Sequence, residues 1–155
     1  MGNEQPRIGG GEVKHAHVIL TRRDAAQATL DRFGGKPFAW GRFDCAKMTA
    51  FHLRQMGLHK GLGLAKAGRY SSALTAKAAL ARAGHASLAA ALDGIGLERI
   101  APASALVGDI LQLPGDGFDA MAIALGNGRC IAYHQDAEGA VVVQPVEVSA
   151  AWRVD

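Results

Sequence analysis

The sequence predicts a single α+β domain, with helices in its first part and an antiparallel sheet in its second. Two observations support this fold class. Up to about residue 93, apolar residues recur at helical spacing between capping residues. From Leu97 onward, short apolar runs alternate with turn sequences. Because the helices precede the strands in a chain of 155 residues, we expect one domain with the helices packed on one face of the sheet.

Apolar residues show no sustained periodicity in the N-terminal segment. Residues 1–17 contain Gly9, Gly10 and Gly11, and we expect an extended arm there, with the single domain at 18–155. His15 and His17 place two imidazoles on one side of that arm, but no third ligand is nearby, so we predict no metal site.

Capping residues mark four helices. Thr21 and Asp24 have the spacing of a capping box, and Asp44 precedes a run whose apolar face includes Cys45. Glycines follow the second and third runs at the positions of C-terminal caps. The expected helices run from about Thr21 to Phe33, from Cys45 to Met56, from Leu74 to Ala83 and from Ser87 to Leu92.

The pattern in the second part of the chain predicts β-hairpins. Asn127-Gly128 is the strongest signal, because a two-residue type I′ turn requires positive φ at both positions. We therefore expect a meander of four to five antiparallel strands, built on Ile110–Leu113, Ala120–Leu125, Cys130–Tyr133 and Val141–Val143.

Composition excludes some classes of protein. No uncharged apolar run approaches the ~18 residues of a membrane span, and the first residues lack the apolar core of a secretory signal. We therefore expect that the protein is made in a cytoplasm and does not insert into a membrane.

Charge is distributed unevenly along the sequence. Residues 1–90 hold 14 Lys and Arg against 5 Asp and Glu, which is +9, whereas residues 91–155 hold 3 against 9, which is −6. This asymmetry indicates either a basic face for an acidic partner or ordinary solvated helices.

Cys45 is the sharpest candidate for chemistry. The first turn of a helix presents unpaired N–H groups and a positive dipole end, which favour a thiolate, although the charge of Asp44 partly offsets them. A small buried hydrophobe is the equal alternative. We expect the other cysteine, Cys130, to be reduced and structural, because it lies within a strand.

A nucleophilic cysteine needs a base, usually His. His52 lies on the same helix face as Cys45, but two turns away and thus roughly 10 Å distant, so it is a packing or surface residue. His134, which ends a strand, is the candidate base. No phosphate-binding loop or dinucleotide motif is present, and Asp116 and Asp119 are in a turn, so we predict no cofactor.

Pro37 to Ala46 reads PFAWGRFDCA and resembles the nucleophile segment of NlpC/P60 proteins, in which Asp-Cys opens a helix. The chain is more closely similar to phage-encoded, NlpC/P60-like tail proteins of unassigned function. The shared motifs cover residues 20 to 155 and comprise Trp40-Gly41, Gly68-Arg69-Tyr70, Gly108-Asp109 and Ala151-Trp152-Arg153.

The resemblance implies a papain-like NlpC/P60 fold, but with an incomplete dyad. The base of active members opens the strand after the Gly-Asp segment, where this chain has Ala120. The third polar residue of the family falls near Ala132. His134 lies two residues beyond it, on the same strand face by alternation, and is the candidate substitute base.

The resemblance therefore implies a phage tail component, at the tail tip or in tail assembly, located in the virion. Its expected partners are other tail or tail-hub proteins, with peptidoglycan as a further candidate ligand and nucleic acid disfavoured. Trp40, Asp44 and Tyr70 are the expected substrate-binding or partner-binding residues. The alternative is an active cysteine peptidase or amidase that cleaves cell-wall peptide, with Cys45 as nucleophile.

Overall fold

The computed structural model describes residues 10–58, 62–63, 69–115, 120–133 and 138–155, of which residues 10–20 are described as backbone only. In this part of the chain, four α-helices precede a six-stranded antiparallel sheet, which confirms the α+β class. The helices are α1 (Gly10–Phe33), α2 (Cys45–Gln55), α3 (Ala73–Arg82) and α4 (Leu88–Gly94). The strands are β1 (Glu98–Ile100), β2 (Ile110–Leu113), β3 (Ala120–Gly126), β4 (Arg129–Tyr133), β5 (Ala140–Val143) and β6 (Ala150–Arg153), and Pro102–Ser104 forms a 3-10 turn.

The sheet is not the simple meander of four to five strands that the sequence predicted. Its order is β1-β6-β2-β3-β4-β5, so the last strand returns to lie between β1 and β2. Trp152 in β6 pairs with Arg99 on one side and with Ile110 on the other. Local patterns could not indicate this insertion, because both partners of β6 are distant in the sequence.

The first helix also differs from the prediction. It begins at Gly10, so the backbone of residues 10–17 is helical, whereas an extended arm was expected there. Thr21 and Asp24, expected as a capping box, lie inside the helix. Residues 12–20 contain neither Gly nor Pro, so nothing stops a helix whose later turns are anchored by buried side chains such as Phe33.

The other helix starts agree with the sequence analysis. Asp44, Ser72 and Ser87 are the N-caps of α2, α3 and α4, and each side chain accepts a hydrogen bond from a backbone N–H in the first turn. The predicted turn at Asn127-Gly128 is also present, with φ of 55° and 74°. These features form as predicted because they depend on neighbouring residues alone.

Side chains of the sheet alternate between two apolar clusters. The larger cluster lies between the sheet and the helices and contains Ile123, Ile131 and Trp152. The smaller cluster holds Ala122 and Cys130, with other small side chains. Cys130 is a buried free cysteine, and burial raises the pKa of its thiol to about 11.

A buried carboxylate joins α1 to the end of the chain. Asp109, which is fully buried, accepts hydrogen bonds from Arg22 at 2.9 Å and Arg153 at 3.0 Å. It also accepts the backbone N–H groups of Leu106 at 2.8 Å and Val154 at 3.1 Å. Four donors therefore converge on this carboxylate, and they hold α1, the entry to β2 and the end of β6 together.

No helix of the described residues is long and apolar enough to cross a membrane.

Candidate functional site

A tight turn positions the start of α2. The backbone N–H of Ala39 donates to the Phe43 carbonyl at 2.9 Å, and the N–H of Phe43 donates back to the Ala39 carbonyl at 2.8 Å. Gly41 has a φ of 77°, and a Cβ at this position would lie 2.8 Å from the carbonyl oxygen of Tyr70. Glycine is required here for both reasons, and the turn leads directly into Cys45.

Asp44 organises the turn. Its carboxylate is fully buried and accepts hydrogen bonds from the backbone N–H groups of Gly41 and Lys47, both at 2.7 Å, and from the Tyr70 hydroxyl at 2.8 Å. The sequence analysis assigned Asp44 and Tyr70 to substrate or partner binding. In the structure these two side chains bind each other, which fixes the chain around the cysteine.

Cys45 is the first residue of α2 and is buried, with 8% of its surface exposed. Burial, together with a smaller effect of the neighbouring Asp44 charge, raises the pKa of its thiol to about 12. A hydrogen bond from the Met121 backbone acts in the opposite direction but does not offset burial. At neutral pH the sulfur is therefore a thiol, and the expected effect of the helix dipole is outweighed by desolvation.

The strand beside the thiol brings no base. Met121, whose backbone contacts the sulfur, is the second residue of β3. The first is Ala120, the position at which the resemblance places a base. A methyl group cannot accept a proton, so β3 supplies a backbone donor to Cys45 and no general base.

His52 is a structural residue, as its distance from Cys45 predicted. It is fully buried, its Nε2 lies 2.7 Å from the Gly108 carbonyl oxygen, and its Nδ1 lies 3.1 Å from the Thr29 hydroxyl. Burial lowers its pKa. In the neutral ring Nε2 donates to the Gly108 carbonyl, and Nδ1 contacts the Thr29 hydroxyl, which also bonds to the Ala25 carbonyl. Both nitrogens therefore tie α2 to neighbouring segments, and neither is available for catalysis.

Four aromatic side chains form a cluster beside this site. The ring centroids of Phe38 and Trp40 are 4.8 Å apart, those of Phe38 and Tyr133 are 5.4 Å apart, and those of Trp40 and Tyr70 are 6.4 Å apart. All three pairs pack edge to face. Phe38, Trp40, Tyr70 and Tyr133 are called the aromatic cluster below.

Tyr133 is the site residue that sequence reasoning missed. Its hydroxyl is buried and has no hydrogen-bond partner among the residues that the structure describes. Burial raises the pKa of this phenol, and the charges of Asp44 and Cys45 add to the effect. Alternation along β4 was the available signal, because Tyr133 shares the face of Ile131 that packs against the helices.

One comparison with known families is positive. A family described as Domain of unknown function (DUF6950) matches residues 20–154. The chain belongs to this family. No curated protein and no solved structure gives a significant match. The DUF6950 match spans both Cys45 and the aromatic cluster, so the site lies within the family domain.

The candidate base of this DUF6950 chain, His134, lies outside the residues that the structure describes, so its role as a base stays a prediction. His134 was expected to share a strand face with Ala132. Ala132 belongs to the smaller cluster, on the sheet face opposite the helices. The side chains of His15 and His17 are also undescribed. Within the described part, no group of three His, Cys, Asp or Glu residues could hold a metal ion.

The buried His52 makes the stability of the DUF6950 domain depend on pH. The unfolded chain takes up this proton near the ordinary pKa of 6.5, whereas the folded chain does so only at lower pH. The unfolded state therefore gains stability as pH falls through 6.5, and the free energy of unfolding should decrease between about pH 7 and pH 5. Urea unfolding at several pH values measures this decrease.

Two variants test whether His52 causes the pH dependence of stability. His52→Asn should flatten the pH dependence while lowering stability overall, because it removes the titrating ring. His85→Asn, which changes a partly exposed histidine outside the core, should keep the slope of the parent chain. An unchanged slope in His52→Asn would assign the pH dependence to other groups.

Proposed function

We propose that this chain is a phage tail component whose NlpC/P60-like domain acts by binding and not by hydrolysis. The observation that carries the proposal is the state of Cys45, a buried thiol with its pKa raised to about 12. A peptidase of this type needs a thiolate and a proton donor for the leaving amine. Neither is provided by the described residues around the sulfur.

The tail assignment rests on the ordered motifs. Trp40-Gly41, Asp44-Cys45, Gly108-Asp109 and Ala151-Trp152-Arg153 occur in the order expected for NlpC/P60-like tail proteins. A helix that opens on the cysteine and packs against an antiparallel sheet supports the papain-like assignment. On this proposal the protein is located in the virion tail, its partners are tail or tail-hub proteins, and peptidoglycan is the candidate wall ligand.

If the domain acts by binding, the motifs shared with NlpC/P60-like tail proteins have a structural role. Gly41 gives the turn its backbone, Asp44 caps α2 and holds Tyr70, and Asp109 joins α1 to the end of the chain. Each contact shapes the domain without requiring a reaction at Cys45. Retained motifs around an unreactive thiol are therefore consistent with a binding domain.

Cell-wall hydrolysis tests the proposal directly. Loss of a general acid or base typically costs ~10²–10⁴ in rate, so the purified protein should release at most traces of peptide from peptidoglycan. Cys45→Ala should leave phage assembly and infectivity unchanged. Cys130→Ala, at the other buried cysteine, is the matched control for the effect of removing a thiol.

Efficient hydrolysis that Cys45→Ala abolishes and Cys130→Ala preserves would contradict the proposal. It would favour the cysteine peptidase or amidase with Cys45 as nucleophile. His134→Ala would then test whether that residue supplies the base.

A further inference from the structure

Basic residues lie in and beside the loop that carries Phe38 and Trp40. Phe38, in the loop between α1 and α2, is 44% exposed. Arg32, Lys36 and Arg42 are exposed and Lys47 is partly exposed. These four cations, called the basic rim below, all lie within eleven residues of Phe38 in the chain.

Aromatic rings hold three of these cations in place. The guanidinium carbons of Arg32 and Arg42 lie 5.3 Å and 5.5 Å from the centroid of the Phe43 ring. The Lys47 amine lies 5.9 Å from the Tyr70 ring, which belongs to the aromatic cluster. Cation–π contacts of this kind limit the conformations of long side chains, so binding a partner here costs less conformational entropy.

Within the described part of the chain, the basic rim has few neighbouring carboxylates. No salt bridge within the described part of the chain involves a rim residue. Asp44 is buried and already accepts three hydrogen bonds, and Asp31 is exposed but accepts from Gln27. Glu138 is the described exposed carboxylate beside this loop, since Gly139 packs against the Lys36 backbone. Among the described residues, the four cations of the rim therefore outnumber the two exposed carboxylates near it, Asp31 and Glu138.

We propose that the aromatic cluster and its basic rim form a docking surface for an acidic protein segment with an apolar side chain at its centre. This inference rests on the proposed binding function and names the chemistry of the partner. An exposed aromatic residue surrounded by arginines has the composition of a protein-binding hot spot. The cations of the basic rim select acidic residues at the periphery and accelerate association.

The packing of the rings favours a protein partner over nucleic acid. Binding of single strands relies on open aromatic faces on which bases stack. In the aromatic cluster, the rings meet at interplanar angles of 73° to 89°, so in each pair the edge of one ring covers part of a face of the other. Phe38 is the most exposed ring of the cluster, and its apolar side chain suits an apolar partner side chain.

The test uses the purified full chain and a library of random short peptides, from which binders are selected. Peptides with Asp or Glu around a central apolar residue should be enriched. Their binding should change the fluorescence of Trp40, because the other tryptophan, Trp152, is fully buried. A short single-stranded DNA and a short duplex are titrated in parallel and should bind more weakly than the selected peptides.

Matched charge-reversal variants test whether the peptides bind at the basic rim. The double variant Arg42→Glu, Lys47→Glu should weaken binding of the selected peptides by at least about tenfold, because like charges then face each other. The control Arg23→Glu, Lys77→Glu reverses two exposed cations outside the basic rim and should leave affinity within about twofold. Thermal unfolding of both variants confirms that they are folded.

The proposal is overturned if no acidic peptides are enriched, if both double variants lose affinity equally, or if either DNA binds more tightly than the peptides. None of these outcomes bears on hydrolysis or on phage assembly, because no phage or cell wall is present in the assay. Failure of this inference is therefore distinguishable from failure of the proposed function.

Discussion

Replacing Asp109 by alanine is expected to lower the free energy of unfolding by about 3–5 kcal/mol, because it leaves the buried Arg22 without its buried anionic partner. The backbone N–H groups of Leu106 and Val154 also lose their acceptor. Since these donors belong to different segments, the loss affects the packing of α1 against the end of the chain. Chemical denaturation monitored by circular dichroism measures the change.

Asp31→Ala is the matched control for this variant. Asp31 is exposed, and the side chain of Gln27, one helical turn away, donates to it at 2.8 Å. Pairs of this kind contribute about 0.2–0.5 kcal/mol, so the control should be nearly as stable as the parent. If Asp109→Ala were as mild as Asp31→Ala, the buried carboxylate would not be holding the segments together.

Asp44→Ala is expected to cost about 3 kcal/mol, the second largest effect. The substitution removes the N-cap of α2, which contributes about 1 kcal/mol, and leaves the Tyr70 hydroxyl and the Gly41 N–H without their acceptor. Ser72→Ala removes only the exposed N-cap of α3 and should cost about 1 kcal/mol. Equal losses in the two variants would show that Asp44 acts as a cap alone.

The same variant has a chemical readout at Cys45. The Asp44 charge raises the pKa of the thiol, so its removal should shift alkylation of Cys45 to lower pH. The measurement is made in a Cys130→Ala background, so that one thiol reacts. An unchanged pH profile would mean that burial alone sets the reactivity of this cysteine.

Much of the local structure could be predicted from the sequence. Asp44, Ser72 and Ser87 cap their helices as expected, and Asn127-Gly128 forms the predicted turn. The predicted start of α1 was wrong, because the glycines near residue 10 and the spacing of Thr21 and Asp24 are local signals, whereas the helix is anchored by its later turns.

The candidate site was predicted only in part. Cys45 at a helix start was correct, and so was the structural role of His52. Tyr133 was missed, because its contact with Phe38 depends on how β4 packs against the loop before α2, which is distant in the sequence. The pairing of Asp44 with Tyr70 was missed for a similar reason, since 26 residues separate them in the chain.

Local sequence is sufficient for the helix caps of α2 to α4, the hairpin turn and the alternation of the strands, because each depends on interactions between residues a few positions apart. Three features depend on long-range packing instead: the insertion of β6 between β1 and β2, the four donors around Asp109 and the burial of Cys45. Burial is the decisive difference for function. Desolvation of a thiol depends on every segment packed around it, so the protonated state of Cys45 is a property of the assembled fold.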